Sequence, residues 1–142
     1  MLNPIRILVI DDHQNWQKKL PELLQRLNNP VQVDVATTYE DALWHIASNS
    51  YDLATVDLSL AIDQHSVLQP SQLMGLDLVH AFRESQNNAN CSLIILTGYP
   101  TLDETKQMLR NYRIIDFIDK GEFDNYTFIE LIQNTLLERS SA

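Results

Sequence analysis

Five short apolar runs, rich in β-branched residues, recur along the chain at Ile5–Ile10, Val31–Ala36, Tyr51–Asp57, Cys91–Thr97 and Ile114–Asp119. Their length and composition predict strands. The first, third and fourth are almost continuously apolar, the pattern of central parallel strands covered on both faces. The second alternates Val31, Val33 and Val35 with Gln32 and Asp34, which predicts an edge strand with one wetter face.

Between these runs the apolar period changes from two to about 3.6. Trp16, Leu20, Leu23, Leu24 and Leu27 form one helical stripe, in which Pro21 must either kink the helix or sit near its start. Ala42, Leu43, Ile46 and Ala47 form a second, preceded by Thr38 and Asp41 in an N-capping arrangement. Leu76, Val79 and Phe82 form a third. Met108 and Leu109 follow a capping box at Thr101–Glu104, and Phe128, Leu131, Ile132 and Leu136 complete the last. Trp16 and Trp44 are expected to be partly buried on their helices. Strand and helix alternating in this way predict βαβ units around a parallel sheet, an α/β fold. The segment 58–72 is long for a strand-to-helix connection, where two to six residues are usual.

Composition narrows the function classes. The 142 residues are 44% hydrophobic and 20% charged, enough apolar material for a single domain covering 1–142 and too much for disorder. Ten Lys and Arg against 19 Asp and Glu leave a net charge of −9, without the basic cluster that a phosphate backbone or an anionic membrane requires. No apolar stretch approaches the ~20 residues of a membrane span, and the N-terminus lacks the basic start and apolar core of a signal peptide. The single cysteine, Cys91, begins a buried strand as an inert apolar residue, and the four histidines show no metal-ligand spacing with it. A reducing, cytoplasmic setting is expected. Ser140-Ser141-Ala142 reads equally as a chain end or as the start of a linker.

Parallel α/β sheets place ligands beyond the carboxyl ends of their strands. Asp11 and Asp12 follow the first strand, Asp57 ends the third, Thr97 ends the fourth and Lys120 follows the fifth. Three carboxylates in one pocket repel one another and raise at least one pKa unless a cation lies between them. An oxygen-only donor set suits Mg²⁺, beside which Asp57 is a candidate carboxylate nucleophile for phosphoryl transfer. Lys120 and Thr97 are the right types to receive the phosphoryl oxygens. Singly, each residue has a plainer reading: a helix cap for Asp11 or Asp12, strand filler for Thr97, a solvated lysine for Lys120. Their joint placement at four strand ends favours the functional reading. His13, beside the acidic pair, reads as a rim residue that steers a partner rather than as a ligand or phosphoryl carrier.

Taken together, Asp11-Asp12 after Ile7–Ile10, Asp57 closing Tyr51–Val56, Thr97-Gly98 after Leu93–Leu96 and Lys120 after Ile114–Asp119 resemble the receiver domain of two-component response regulators. The resemblance runs from about Arg6 to Glu138. It implies a CheY-like, doubly wound, three-layer α/β/α fold with five parallel strands in the flavodoxin-like order 2-1-3-4-5 and five helices. It further implies that Asp57 takes a phosphoryl group from a sensor histidine kinase or phosphotransfer protein. Mg²⁺ would be held by Asp12, Asp57 and the Ser59 carbonyl, with Asp11 acting through metal-bound water. Thr97, Lys120 and Phe117 would then switch the face formed by the fourth helix, fifth strand and fifth helix toward a downstream protein, which a second copy of the chain could also supply. Such a domain would phosphorylate and slowly dephosphorylate itself without turning over a metabolite.

Three features depart from the family pattern. The glycine that usually follows the phosphoacceptor closely is here Gly75, 18 positions after Asp57, so about ten extra residues border the pocket. Gly121 replaces the proline usual after the lysine, and a cis bond before a non-proline residue costs about 2.5–4 kcal/mol. Phe117 lacks a hydroxyl, and Tyr99 is the nearest polar aromatic at the same rim. The competing readings are a binding-only module whose long loop blocks the site, an aspartyl-phosphate phosphohydrolase and a flavin mononucleotide carrier. The second expects its nucleophile after the first strand in an Asp-x-Asp pattern. The third expects hydroxyls and amides where this chain has Asp11 and Asp12.

Overall fold

The computed structural model describes residues 4–58, 71–98 and 103–140, without the side chains of 71–75, 104, 105 and 108. Its strands are β1 (Ile5–Ile10), β2 (Val31–Ala36), β3 (Leu53–Val56), β4 (Ser92–Thr97) and β5 (Ile114–Asp119). Its α-helices are α1 (Gln14–Leu24), α2 (Tyr39–Ser48), α3 (Ser71–Glu84), α4 (Asp103–Arg110) and α5 (Asn125–Ser140), with a 3₁₀ turn at Lys120–Glu122. All five strands are parallel, in the order β2-β1-β3-β4-β5. Strand order therefore reverses between β1 and β3, the place where such sheets bind ligands.

The strand pleat divides the core in two. Leu8, Ile10, Ala54, Val56, Leu93 and Ile95 join Ala42, Ile46, Leu78, Val79, Phe82 and Leu109 from α2, α3 and α4. On the other face Ile7, Val9, Leu53, Ile94 and Leu96 join Leu20, Leu23 and Leu24 of α1 and Phe128, Ile132 and Leu136 of α5. Phe82 and Phe128 are sealed almost completely, each worth roughly 1.5–3 kcal/mol of apolar burial. Both β2 and β5 lie at edges, and the mixed exposure of β2 matches its alternating sequence.

Local chemistry explains the element ends. Thr38 caps α2 by accepting the Asp41 amide at 3.1 Å, while the Asp41 carboxylate accepts the Thr37 amide at 3.3 Å. Asp124 caps α5 by accepting both the amide and the hydroxyl of Thr127, at 2.8 and 2.7 Å. The capping box at Thr101–Glu104 is described only from Asp103 onward, where α4 begins.

Several expectations need adjusting. Pro21 lies within α1, not near its start, and the apolar stripe outlasts the helix, since Leu27 is buried in the turn beyond Leu24. Trp44 is 61% exposed. It lies two positions from both Ala42 and Ile46, about 200° around the helix, which turns its ring away from their stripe. The third strand is four residues long and begins at Leu53, not Tyr51. Ser71 and Gln72 already belong to α3, which shortens the 58–72 segment at its far end, and residues 59–70 lie outside the described set.

Between β4 and β5 the register shifts by one residue, so that Leu93 pairs with Ile114 but Ile94 pairs with Asp116. The extra residue, Ile115, is 43% exposed. Past this bulge Phe117 returns to the inner face against the α2–α4 core, and Thr97 pairs with Asp119. Lys120 is thereby delivered to the carboxyl edge of the sheet.

Candidate functional site

The carboxyl ends of β1, β3 and β5 bring Asp11, Asp57 and Lys120 together. Backbone pairing continues one residue past each strand: the Asp11 amide donates to the Ala36 carbonyl and the Asp57 amide to the Ile10 carbonyl, both at 3.1 Å. The two side chains are thus fixed from rigid elements rather than from loops. Lys120 Nζ reaches Asp11 Oδ2 at 2.7 Å and Asp57 Oδ2 at 3.1 Å. All three side chains are nearly closed to solvent, at 2%, 0% and 7% exposure for Asp11, Asp57 and Lys120.

A pair of buried carboxylates sharing one ammonium is electrostatically tense. Burial holds the Asp11 carboxyl above its ordinary value; the hydrogen bond from Lys120 opposes that rise and the nearby Asp57 charge adds to it. The expected pKa rise is therefore present, with loss of water as its main cause and carboxylate repulsion as a smaller one.

His13 lies further inside this group than a rim position implies. Its Nδ1 is 3.0 Å from Asp12 Oδ1, 3.2 Å from Asp11 Oδ1 and 3.6 Å from Asp57 Oδ2, although 57% of the side chain is exposed. Asp12 sits at the outer wall with a side chain 29% exposed. One donor atom from each of Asp11, Asp12, His13 and Asp57 falls within 4.8 Å of the others, an arrangement able to hold a metal ion.

Around this centre the chain supplies supports that the sequence did not single out. Gln17 Nε2 donates to the Asp11 carbonyl at 3.0 Å from the first turn of α1. The Trp16 ring stands 5.2 Å from Lys120 Nζ and packs edge-on against Phe123 at 4.9 Å. The only sequence signal for either residue was its position in the first turn of the helix after Asp11-Asp12. Trp16 belongs to the apolar stripe of α1, and its ring also borders the lysine.

Gly121 has its own local reason. Its amide donates to Asp119 Oδ1 at 2.8 Å, capping the 3₁₀ turn that begins at Lys120, a bond that a proline nitrogen could not make. Among the described residues no peptide bond is cis, so the Lys120–Gly121 bond is trans.

Thr97 is 3% exposed at the end of β4. Phe117 is half-buried, with the Lys106 ammonium of α4 5.7 Å from its ring. The structure therefore gathers Asp11, Asp12, His13, Asp57 and Lys120 into one cluster, with Thr97 and Phe117 on neighbouring strands. Ser59 and Tyr99 lie outside the described residues.

A family model for the response regulator receiver domain matches residues 7–133, which reach into every strand and include every residue of this cluster. The chain belongs to the response regulator receiver family. Solved structures show the same fold. A CheY-like receiver domain protein from Methanospirillum hungatei JF-1 is 22% identical over 98% of each chain, with a TM-score of 0.78. The chemotaxis protein CheY4 of Vibrio cholerae is 19% identical over 94% of this chain and 99% of its own, with a TM-score of 0.75. A response regulator from Burkholderia pseudomallei, crystallised with a phosphorylated aspartic acid, calcium and citrate, is 21% identical over 96% of this chain and 72% of its own, with a TM-score of 0.71. No curated protein matches the chain.

Receivers are signalling domains of two-component systems, not metabolic enzymes. Their partners are histidine kinases or phosphotransfer proteins together with downstream targets. In this receiver the acidic pocket, the lysine and the edge strand that carries it form one continuous structure.

Proposed function

We propose that this receiver is a phosphoacceptor switch in which Asp57 takes a phosphoryl group from the phosphohistidine of a sensor kinase or phosphotransfer protein. The observation that carries the reading is the meeting of Lys120 Nζ with Asp57 at 3.1 Å inside a pocket walled by Asp11 and Asp12. An Asp57 oxygen forms the new P–O bond while the P–N bond of the donor breaks, and the electron pair leaves with the donor imidazole. Lys120 is already within bonding distance of Asp57 and answers the charge on the transferred oxygens. Thr97, at the end of the adjacent strand, offers the hydroxyl.

The donor set fits a hard divalent ion, because carboxylate oxygens of Asp11, Asp12 and Asp57 converge within one coordination sphere's reach. Those three residues would hold Mg²⁺, with the Ser59 carbonyl as a further ligand. When bound, the ion neutralises carboxylates and phosphoryl oxygens together. The phosphorylated aspartate and calcium of the Burkholderia pseudomallei structure support this reading by analogy.

The output surface is the face of α4, β5 and α5. Phe117 links that face to the pocket, three residues before Lys120 and in contact with Lys106 of α4. Changed charge at Asp57 biases the packing of this aromatic, and the altered face then engages a downstream protein or a second receiver. No described helix is long and apolar enough to cross a membrane, and the proposed setting is the cytoplasm.

The deciding experiment is incubation with Mg²⁺ and acetyl phosphate, read by intact mass, for the native chain and Asp57→Asn. The native chain gains one phosphoryl mass and the variant none. An unlabelled native chain that also ignores beryllofluoride would overturn the reading and leave a binding-only module.

A further inference from the structure

We propose that the His13 imidazole is itself a ligand of the divalent cation, and that it moves the preference of this site from Mg²⁺ toward ions that accept nitrogen, such as Mn²⁺. The inference rests on the reading above that a cation binds among Asp11, Asp12 and Asp57.

His13 occupies the N-cap of α1, where Ser, Thr, Asp or Asn normally spend their side chains on the first free amides. Its side chain makes no such bond. Its backbone, by contrast, is held on both sides. The His13 amide donates to Asp11 Oδ1 at 2.9 Å, and its carbonyl accepts the amides of Trp16 and Gln17 at 3.1 and 3.0 Å. With the backbone fixed and the cap unused, the ring is committed to the carboxylates.

The separations fit coordination. Donors bound to one ion at about 2.1 Å lie about 3.0 Å apart when adjacent and about 4.2 Å apart when opposite. His13 Nδ1 stands 3.0 and 3.2 Å from the nearest oxygens of Asp12 and Asp11. The whole donor set lies within 4.8 Å, so its widest pair needs to close by at most about 0.6 Å to embrace an ion.

Lys120 Nζ lies 3.5 Å from His13 Nδ1, farther than from either of its carboxylate partners. It bonds Asp11 through Oδ2, whereas His13 faces Oδ1 of the same carboxylate. One aspartate thus presents one oxygen to the ammonium and the other toward the imidazole. An all-oxygen set favours Mg²⁺, but an imidazole among the donors favours first-row transition ions.

The experiment uses the whole chain and its exposed His13, whose replacement leaves the core intact. Mg²⁺ and Mn²⁺ are titrated separately by calorimetry into the native chain, His13→Gln and His13→Ala. Mn²⁺ binding weakens at least about tenfold in both variants while Mg²⁺ binding changes little. Pulsed electron paramagnetic resonance of the Mn²⁺-loaded native chain shows coupling to a directly bound ¹⁴N that His13→Gln abolishes. Equal weakening for both ions, ¹⁴N coupling that survives in the variant, or tighter Mg²⁺ binding without the imidazole overturns the proposal alone. A native chain that binds neither ion overturns the cation site as well.

Discussion

Lys120 Nζ lies 2.7 Å from Asp11 Oδ2, with both side chains almost sealed from water. The lysine therefore stabilises the pocket itself, apart from the role proposed for it toward a phosphoryl group. Asp11 and Asp57 arrive from neighbouring central strands that the sheet requires to be adjacent, and their charges must be answered locally. The ammonium from the far edge of the sheet does so, held beside the Trp16 ring.

Replacing Lys120 with Met leaves those two carboxylates buried without their shared cation. Breaking a buried ion pair from one side costs about 3–5 kcal/mol, so the variant unfolds at markedly lower urea in the absence of divalent ions. Millimolar Mg²⁺ restores part of the loss, because an ion between the carboxylates replaces the missing charge. Urea midpoints of the native chain and Lys120→Met, with and without MgCl₂, check this. Equal midpoints in metal-free buffer would show that the pair contributes nothing to folding.

A second polar cluster lies at the opposite edge of the sheet. The buried Tyr51 hydroxyl donates to Asp34 Oδ2 at 2.6 Å, beside His45 Nδ1 at 3.1 Å, and the Arg6 guanidinium stands 3.5 Å from the same Asp34 oxygen. Burial, followed by this carboxylate, pushes the Tyr51 phenol far above its ordinary value. Hydrogen bonds to charged groups contribute about 1.5–3 kcal/mol, and Tyr51→Phe is expected to lose about that much in equilibrium unfolding. An unchanged free energy would mean that water replaces the hydroxyl at no cost.

Much of this architecture could be read from the chain because two periods dominate it. Alternating and continuous apolar runs separated edge from central strands, and their polar termini at Asp11, Asp57, Thr97 and Lys120 marked the pocket. The bulge at Ile115 left no such trace, since Ile114 and Ile115 read as neighbouring apolar residues of one uninterrupted strand and the register shift is decided by β4. The orientation of His13 was equally hidden. An N-cap position and a neighbouring acidic pair admit either a cap or an inward ring, and only the three-dimensional placement of Asp57 separates them. For Trp44, aromatic character suggests burial, whereas helical phase sets which face a side chain occupies, and that phase leaves it exposed.

Cys91 provides a reporter of opening. It is 2% exposed in the position just before β4, where the sequence pattern begins the strand, and burial pushes its thiol up to about 12. At neutral pH the thiolate that reacts with alkylating agents is therefore scarce as well as shielded. Iodoacetamide should label the native chain far more slowly than the urea-unfolded chain, and labelling should accelerate in any variant of lower stability. Rapid labelling of the native chain, read by mass, would place this strand end in frequent local opening.

The cap of α5 links stability to acid. Hydrogen bonds from the Thr127 hydroxyl and amide hold the Asp124 carboxyl below its ordinary value of 3.8. A carboxyl whose folded pKa is depressed binds its proton more readily in the unfolded chain. Its contribution is complete above the unfolded value and fades as pH falls through the folded one. Asp124→Ala should therefore melt below the native chain at pH 7 by a margin that persists to about pH 5. The two melting curves should converge as the carboxyl of the native chain is protonated below the ordinary value. Thermal melts of both chains between pH 7 and pH 2 measure the margin directly. A margin that stays constant throughout would assign the loss to the missing side chain's packing and not to the charged cap. Because α5 carries Phe128, Ile132 and Leu136 into the core beneath β1 and β4, fraying at this cap loosens the helix that forms one wall of the proposed output face.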